Sequence, residues 1–405
     1  MTKTLLIISG GIEAADAVKR ARNMGLHVVV SDIDPDAPGF AIAHDRLIAD
    51  VYGPEETARA AERYHRTERN IDGVLCVAAD APVTAALVAQ RLKLPGISVE
   101  TARLASDKLA MKRRFKECGV PVPWFAPVAS AAELRAIVAE RGSDLVIKPV
   151  DSRGSRGVQR LARVADLNAA FAFAEKYSPS KRVMVEAYLT GPQVSTESIV
   201  IGGRCYTPGF ADRNYELLEV HAPFFIENGG DLPSRLPPGT QDAVKDVVAR
   251  AAEALGVADG TVKGDIVVHD GRPFVIELAA RLSGGFFCTR EIPLNTGVDF
   301  VGCAIRVALG EHIHPAELQP WRQQAVIQRY AFPKPGRVVD VRGADSARRL
   351  PGIEDIIVTA KPGDIIPPAG DKRPSAAMVL ATGNSRDDAL AAACAGIAAL
   401  QIETR

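Results

Sequence analysis

The sequence has no excess of either charge and no long apolar run. Lys plus Arg and Asp plus Glu each number 49 among the 405 residues, so no basic field is present that would attract nucleic acid or an acidic membrane surface. Its apolar runs fall short of the roughly 18 residues that indicate a membrane-spanning helix, and the run after Met1 is too short for a secretory signal. We therefore expect a cytoplasmic protein with small-molecule partners, without nucleic acid or membrane binding.

Several sequence signatures of catalysis and metal binding are also missing. The six cysteines are dispersed without a C-x-x-C pair, which disfavours a zinc knuckle or a disulfide framework and indicates reduced thiols, mostly in the core. There is no G-x-x-x-x-G-K-[ST] loop for phosphate and no G-x-S-x-G nucleophile elbow. Any nucleotide site must therefore be built in another way, and no covalent nucleophile is indicated.

The chain is long enough for two or three domains, and it opens with alternating strand and helix patterns. The segments "TLLIIS", "IEAADAVKRARNMG" and "HVVVSDID" form a β-α-β unit, and "GVLCVAAD" continues the pattern. Residues 1–97 are predicted to be a small doubly wound domain with a parallel sheet. Gly10, Gly11 and Asp32 occupy positions where a dinucleotide fold binds its ligand, but "SGGIEAAD" is not G-x-G-x-x-G, so tight-turn packing is favoured over NAD binding.

A lysine followed by a glycine-rich loop stands out after a proline-rich domain junction at "VPVPWFAPV". In "VIKPVDSRGSRGV", Lys148 ends an apolar strand, and the loop 151–157 leads into a return strand. The pattern predicts a β-hairpin. Its loop is either an ordinary turn beside a solvated lysine, or a phosphate cradle in which glycines let backbone N–H groups approach an anion.

A second group of charged residues lies in "GDIVVHDGRPFVIELAARLSGG". The Asp-Gly turn predicts a hairpin, with Asp265 and Glu277 at similar distances from the turn and therefore side by side. Two carboxylates without a nearby His or Cys suit Mg²⁺, and Arg281 follows four residues after Glu277. The alternative is a pair of solvent-facing acids, but the surrounding strands are mostly apolar, and a buried acid needs a partner.

The order of these segments, with "SDK" and "VEAYLTGPQVS", resembles the ATP-grasp superfamily of carboxylate–amine ligases. The nearest branch includes biotin carboxylase, carbamoyl-phosphate synthase halves, purine-pathway members and amino-acid ligases. The resemblance implies an α/β and α+β protein with the ATP-grasp fold. Its parts would be a doubly wound pre-ATP-grasp domain at 1–97, an ATP-grasp domain at 98–310 with a lid at about 124–187, and a C-terminal subdomain at 311–405.

The resemblance also implies roles for individual residues. Those expected to bind ATP are the two lysines, the lid loop, the adenine hinge and a ribose-contacting glutamine, namely Lys108, Lys148, Ser152, Gly154, Ser155, Gly157, Glu186, Ala187, Tyr188, Leu189 and Gln193. Glu186 would accept a hydrogen bond from the adenine amine. Asp265 and Glu277 would bind one or two Mg²⁺ ions, Arg281 would stabilise the transferring phosphoryl group, and Arg329 would contact an anionic substrate.

Two departures from the family pattern bear on the substrate. Ala279 stands where the family has an Asn on the metal side. Gly285 stands where biotin carboxylases have a Glu base, which disfavours bicarbonate activation. "RLSGG" instead resembles the amino-acid ligase version, in which the glycines leave room for a substrate carboxyl group.

The function implied is an ADP-forming ligase that activates a carboxylate as an acyl phosphate and couples it to an amine, with an amino acid as the simplest substrate. Alternatives are a purine-pathway ligase acting on a phosphoribosylamine and a nucleotide-binding module without turnover. A homodimer is common among similar proteins. Further candidates for the substrate pocket lie in the loop 211–239, namely Arg213, Tyr215, His221, Phe224 and Phe225.

Overall fold

The computed structural model describes residues 2–371 and 375–405, and its first unit is a parallel sheet covered by helices. The strands, in the spatial order β3-β2-β1-β4, are β1 Thr4–Ile8, β2 His27–Asp32, β3 Asp45–Ile48 and β4 Gly73–Cys76. The helices of this unit are α1 Ala15–Asn23, α2 Pro54–Thr67 and α3 Pro82–Leu92. The predicted doubly wound domain is confirmed, and its strand order reverses between β1 and β4. Ligands of such sheets bind at the carboxyl ends of the strands beside this reversal.

The loop after β1 is packed tightly against its own domain. Gly10 N–H donates to Asp32 Oδ2 at 2.8 Å, and Gly39 N–H donates to Gly10 O at 2.7 Å. A Cβ atom on Gly10 would lie 3.0 Å from Ala37 Cβ, so a larger residue does not fit here. These contacts support the tight-turn interpretation of Gly10 and Asp32.

The lid is a four-stranded antiparallel sheet that follows helices α4 Val99–Ser106 and α5 Lys108–Glu117. Its strands, in the order β5-β8-β6-β7, are β5 Phe125–Val128, β6 Leu145–Pro149, β7 Gln159–Arg160 and β8 Val183–Ala187. Helices α6 Ala131–Arg141 and α7 Leu167–Lys176 cover it. The pairing of Ile147 with Gln159 confirms that the glycine loop connects two strands of a hairpin.

An eight-stranded antiparallel sheet forms the centre of the molecule, in the order β13-β12-β9-β10-β11-β14-β18-β16. Its strands are β9 Gln193–Ile201, β10 Arg204–Arg213, β11 Gly230–Leu232, β12 Gly260–His269, β13 Arg272–Ala279, β14 Ala325–Ala331, β16 Ile353–Val358 and β18 Ala377–Gly383. Helices α8 Pro238–Ala254, α9 Ile292–Thr296 and α10 Phe300–Ala308 pack near it. The sheet continues past the domain boundary predicted at 310, because β14, β16 and β18 belong to it.

The remaining C-terminal elements form a small three-stranded sheet and two helices. The strands are β15 Gly336–Arg342, β17 Ile365–Ile366 and β19 Gln401–Thr404, and the helices are α11 Ala344–Ala347 and α12 Arg386–Ala399. The largest apolar core cluster joins the first domain to residues 282–318, with Ala17 and Phe286 among its members. Within the described ranges, no helix has the length and hydropathy needed to cross a bilayer.

Removing the acceptor from the first loop should cost stability without affecting ligand binding. Asp32→Ala leaves Gly10 N–H without its acceptor in a packed loop, and we expect a loss of about 1–2 kcal/mol in the free energy of unfolding. Asp32→Asn keeps an acceptor oxygen and should lose much less. Urea denaturation and nucleotide titration of both variants would check this expectation, and a selective loss of nucleotide affinity in Asp32→Ala would contradict it.

Candidate active site

One cavity of about 530 Å³ lies between the first domain, the lid and the central sheet. Most of the residues singled out in the sequence line it, namely Lys108, Lys148, Ser152, Gly154, Ser155, Glu186, Ala187, Tyr188, Leu189, Gln193, Asp265, Glu277 and Arg281. Gly157 and Arg329 are not among its lining residues. Residues more than 170 positions apart in the sequence are thus brought to one site by the fold.

The glycine loop forms the wall of the cavity on the lid side. Gly154, Ser155 and Gly157 all have positive φ, at 63°, 57° and 80°, a region that glycine adopts without a steric cost. Gly157 turns the chain beside Pro149, since a Cβ atom there would lie 2.7 Å from Pro149 Cγ. Gly157 therefore shapes the hairpin instead of facing the cavity.

Asp265 and Glu277 are direct cross-strand partners in the β12–β13 hairpin, which confirms the predicted side-by-side arrangement. The register shifts immediately after Asp265, and such bulges are frequent beside active sites because they re-aim a side chain. Lys263, two residues before Asp265 on the same strand, also lines the cavity. Alternation along the strand places both side chains on one face.

Asp265 is ionised and surrounded by donors. Burial opposes its ionisation, but Arg213 and Lys263 lower its pKa well below the usual range. Arg213 Nη1 lies 2.7 Å from Asp265 Oδ1, Ser195 Oγ donates to the same oxygen at 3.1 Å, and Lys263 Nζ contacts it too. All three of these contacts are made to Oδ1, which leaves Oδ2 as the oxygen for another ligand.

The donor set fits a divalent cation shared with a phosphate ligand. Glu277 is one third exposed (31%), and its Oε1 lies 3.3 Å from Lys108 Nζ. No cluster of three or more His, Cys, Asp or Glu residues suited to a metal occurs in the described part of the chain. Two carboxylates alone suit Mg²⁺, which keeps several waters and substrate phosphate oxygens as ligands.

Lys148 and Glu186 form a buried ion pair at the floor of the cavity, and a second lysine joins it. Lys148 Nζ contacts Glu186 Oε1, and Lys112 Nζ lies 2.8 Å from Glu186 Oε2. Burial raises the pKa of Glu186, but Lys112 and Lys148 more than offset this, so the pKa is lowered. Both oxygens of Glu186 are therefore held by lysines, which does not favour its predicted contact with the adenine amine.

The first domain contributes two acids at the reversal of its strand order. Arg281 binds Asp80 through Nη2 at 2.6 Å. Burial opposes the charge of Arg281, but Asp80 raises its pKa above the ordinary value. Gly285 N–H donates to Glu13 Oε2 at 2.7 Å, and a Cβ atom on Gly284 would lie 2.4 Å from the same oxygen. Glu13 therefore lies in the space beside these glycines. The sequence predicted room for a substrate carboxyl group there, so any such group would have to share this space with Glu13.

Arg329 is not brought to the cavity. Its side chain is 6% exposed, and its Nη1 lies 2.6 Å from Asp231 Oδ1, while Asp231 also binds Arg386. The neighbouring residue Tyr330 lines the cavity, and successive side chains of a strand point to opposite faces. This position does not support the predicted substrate contact of Arg329. The structure contains the alternative, a salt bridge between Arg329 and Asp231.

The loop 211–239 divides between the cavity and the lid. Arg213, Tyr215 and Phe225 line the cavity. Phe224 packs instead against Phe173 of α7, with ring centroids 5.6 Å apart, and His221 is not among the lining residues of the cavity. The loop therefore supplies three of the five candidate side chains.

A smaller annex of about 150 Å³ shares a wall with the main cavity. The shared residues are Arg213, Glu227, Lys263, Arg281, Gly284, Gly285 and Tyr330. Its inner wall includes Phe287 and Glu291, both in a single π-helical turn Phe287–Glu291. Such turns occur frequently at functional sites, and this annex contains cationic and acidic side chains together.

Sequence reasoning missed several residues in or beneath the cavity for which a signal existed. Glu13 and Asp80 follow the first and fourth strands of the first domain, at the strand ends where such sheets bind ligands. Lys112 lies four residues after Lys108 in α5, and this spacing places both on one helix face. Lys263 shares a strand face with Asp265.

Two family models match the chain. Residues 105–285 match a model described as ATP-grasp domain, and residues 329–405 match a model described as L-amino acid ligase C-terminal domain 2. The fold, the cavity and these matches define an ATP-grasp protein. The chain therefore contains an ATP-grasp domain at residues 105–285, and its enzyme class is that of the ADP-forming carboxylate–amine ligases.

Similar proteins match much of the chain. An uncharacterized protein of Sinorhizobium fredii, y4rH, is 27% identical over 399 residues, which span 96% of this chain and 80% of that protein. A D-alanine–D-alanine ligase of Aromatoleum aromaticum is 27% identical over 232 residues, spanning 53% of this chain and 70% of the relative. An L-amino acid ligase from Bacillus licheniformis has a similar structure, with a TM-score of 0.84, 20% identity and coverage of 100% of this chain and 99% of the other.

Glu197 on β9 is a buried acid behind the site that should make stability depend on pH. Burial raises its pKa to about 7, and the hydrogen bond from Ser283 N–H at 3.0 Å offsets only part of this rise. Between the ordinary pKa and the raised one, the native state binds a proton that the unfolded state lacks, so stability falls as pH rises through this window. Above this pH window, Glu197 is ionised in both states, and the full destabilisation from burying its charge is present.

We expect Glu197→Gln to be more stable than the unsubstituted protein at about pH 8, by about 3 kcal/mol for a shift of this size, and much closer to it at about pH 5. Thermal and urea denaturation at both pH values would measure this difference. Glu253→Gln, an exposed position on α8, is the matched control and should show no such change. An equal effect of Glu197→Gln at both pH values would contradict the expectation.

Proposed function

We propose that this chain uses ATP to activate a carboxylate as an acyl phosphate and couples it to an amine, with an amino acid as substrate, releasing ADP and phosphate. The observation that carries the proposal is the convergence of two lysines, two carboxylates and one arginine on a single cavity, namely Lys108, Lys148, Asp265, Glu277 and Arg281. Phosphoryl transfer depends on positioning and charge stabilisation. The lysines would bind phosphate oxygens, the carboxylates would bind Mg²⁺, and the arginine would stabilise the transferring group.

The adenine end of the nucleotide is assigned to the hinge at residues 186–189. Tyr188 N–H donates to Asp144 O at 3.0 Å, whereas no acceptor among the described residues meets Leu189 N–H. This N–H is therefore available to a ring nitrogen of adenine. Because two lysines hold the Glu186 carboxylate, we assign adenine recognition to the hinge backbone and not to this side chain. Gln193 at the edge of the cavity is proposed to contact the ribose.

The phosphates are assigned to the space between the two lysines and the glycine loop. Lys108 Nζ donates to Ser152 O at 2.7 Å, which ties the ammonium group to the loop that would close over the phosphates. Mg²⁺, one or two ions held by Glu277 and Oδ2 of Asp265, would neutralise charge on the triphosphate. The backbone N–H groups of the loop and the ammonium groups would complete the anion site.

The proposed reaction has two steps. A carboxylate oxygen of the acid forms a bond to the terminal phosphorus while the bond between that phosphorus and ADP breaks. The amine then attacks the acyl carbon, loses a proton and displaces phosphate. Arg281 would stabilise the negative charge on the transferring group, and closure of the loop over the cavity would keep water from the acyl phosphate.

The annex supports an amino acid as the acid substrate. It opens from the cavity beside Arg281 and has a volume of about 150 Å³. Its walls carry both charges, because Arg213 and Lys263 line it together with Glu227 and Glu291, and Arg213 is paired with Glu227. A zwitterion of small size matches these walls, because its carboxylate and its ammonium group would each find an opposite charge.

The alternatives fit less well. A phosphoribosylamine ligase needs room for a sugar phosphate, but the loop at Gly10 is filled by Ala37 and Gly39. Bicarbonate activation would require a base in place of Gly285, whose φ of 65° disfavours a larger residue. The retained acids and Arg281 argue against a module without turnover. The homodimer stays a prediction.

Turnover should release ADP and not AMP. We would screen pairs of amino acids and small carboxylates for ADP release, with ¹⁸O in the carboxylate group of the acid. Transfer of label into phosphate is expected, because the acyl phosphate passes a carboxylate oxygen to the departing phosphate. Formation of AMP and pyrophosphate would overturn the proposed mechanism.

Glu277→Gln keeps the size of the side chain and removes its charge. We expect it to lower kcat at least about a hundredfold, the scale seen when one group that stabilises the transition state is removed. Asp270→Asn at the exposed tip of the same hairpin is the matched control and should keep full turnover. An unchanged kcat in Glu277→Gln would make Glu277 a structural acid.

A further inference from the structure

A fully buried lysine that the proposed reaction does not use lies beneath the floor of the cavity. Lys112 is 0% exposed and is not among the residues that line the cavity, so it cannot touch a bound nucleotide. A buried ammonium group is costly unless it is paired. Burial lowers the pKa of Lys112 to about 8, and the contact with Glu186 compensates only in part. A feature with this cost calls for an explanation.

Lys112 is placed by helix α5 and held by two strands. Its Nζ lies 2.8 Å from Glu186 Oε2 on β8 and 3.4 Å from the carbonyl oxygen of Val275 on β13. Lys108, four residues earlier on the same helix face, contacts Glu277 on β13. Two lysines on one face of α5 therefore contact two acids of the site. Lys108 contacts Glu277 in the cavity, and Lys112 contacts Glu186 from beneath it.

The charges around Glu186 indicate what Lys112 contributes to the site. Lys148 lines the cavity and contacts Glu186 Oε1. If these two were alone, they would form a neutral pair, and Glu186 would repel a phosphate as Lys148 attracted it. With Lys112 on the other oxygen, one acid is shared by two cations, and the group carries a net positive charge toward the cavity. In a buried site such a charge is screened far less than in water.

We propose that Lys112 is a positioning residue that neutralises Glu186 from behind and so leaves the charge of Lys148 available to the nucleotide phosphates. The inference rests on the proposed binding of a nucleotide in this cavity, but not on the identity of the acid or the amine. It separates two roles within one buried group. Lys148 contacts the ligand, and Lys112 sets the charge that the ligand meets.

The inference predicts a specific loss of phosphate binding. Lys112→Met keeps the length and apolar stem of the side chain but removes its charge. We expect it to weaken the binding of ADP, measured by calorimetry, by about tenfold or more, the size of one weakened charge-assisted hydrogen bond. Binding of adenosine, which has no phosphate, should change by less than about twofold. Lys116→Met, an exposed position one turn further along α5, is the matched control and should change neither.

A double variant tests the charge argument directly. Lys112→Met/Glu186→Gln removes both members of the rear pair, so Lys148 keeps its positive charge and a hydrogen-bond acceptor. We expect its ADP affinity to return to within about threefold of the unsubstituted protein. This variant also carries the test if Lys112→Met alone does not fold, because it leaves no unpaired buried acid.

Three results with the variants would overturn the inference. They are an unchanged ADP affinity in Lys112→Met, an equal loss of ADP and adenosine binding in that variant, and a double variant that binds ADP as weakly as Lys112→Met. Absence of ADP binding by the unsubstituted protein would overturn it as well. ADP binding with the expected pattern but without ligase turnover for any acid and amine would instead count against the proposed function alone.

Discussion

The site depends on pairing buried charges of opposite sign before any ligand arrives. Asp265 is held by Arg213 and Lys263, Glu277 by Lys108, and Arg281 by Asp80. Isolated buried charges would change protonation or destabilise the fold, whereas paired ones stay ionised. A cavity lined in this way is ready for a polyanion and a cation together, because each can replace part of an existing pair. The arrangement explains why so many charged side chains occur in strands that are otherwise apolar.

The pairs also tie the domains to one another. Asp80 and Glu13 reach the site from the carboxyl ends of β4 and β1, where the strand order of the first sheet reverses. Their partners, Arg281 and Gly285, follow the end of β13 in the central sheet. The lid makes its own contact with the first domain, because the guanidinium group of Arg153 lies 3.5 Å from the ring centroid of Tyr52. Three parts of the chain therefore meet around one cavity, and each supplies groups that the others lack.

The π-helical turn after the glycines is a second point of connection. Arg290 in this turn binds Asp16 of the first domain and Asp355 of the C-terminal region, while Glu291 lines the annex. Phe286, just before the turn, has a φ of 62° and belongs to the core cluster shared with the first domain. A strained backbone here is offset by packing and ion pairs on both sides. The shape of the annex is thus linked to the way the domains are joined.

Local patterns in the sequence were sufficient for much of the fold and part of the site. The Asp-Gly turn with alternating strands predicted the hairpin that pairs Asp265 with Glu277, and the glycine loop after Lys148 predicted the lid hairpin. Arg329 shows the limit of this reasoning. The resemblance matched Arg329 to a strand position, but it did not show which residues face that position across the sheet. The partner of Arg329 is Asp231, which lies 98 residues away in the sequence.

By itself the sequence determined the order of strands and helices, the two hairpins and the types of charged residue in them, because these follow from local periodicity and turn chemistry. The tertiary structure decided which charges meet. Glu13 beside Gly285, Asp80 beside Arg281 and Lys112 beneath Glu186 are contacts between distant segments, and their partners are chosen by sheet order and helix packing. Such contacts are set by the relative placement of domains, about which residue spacing along one chain carries little information.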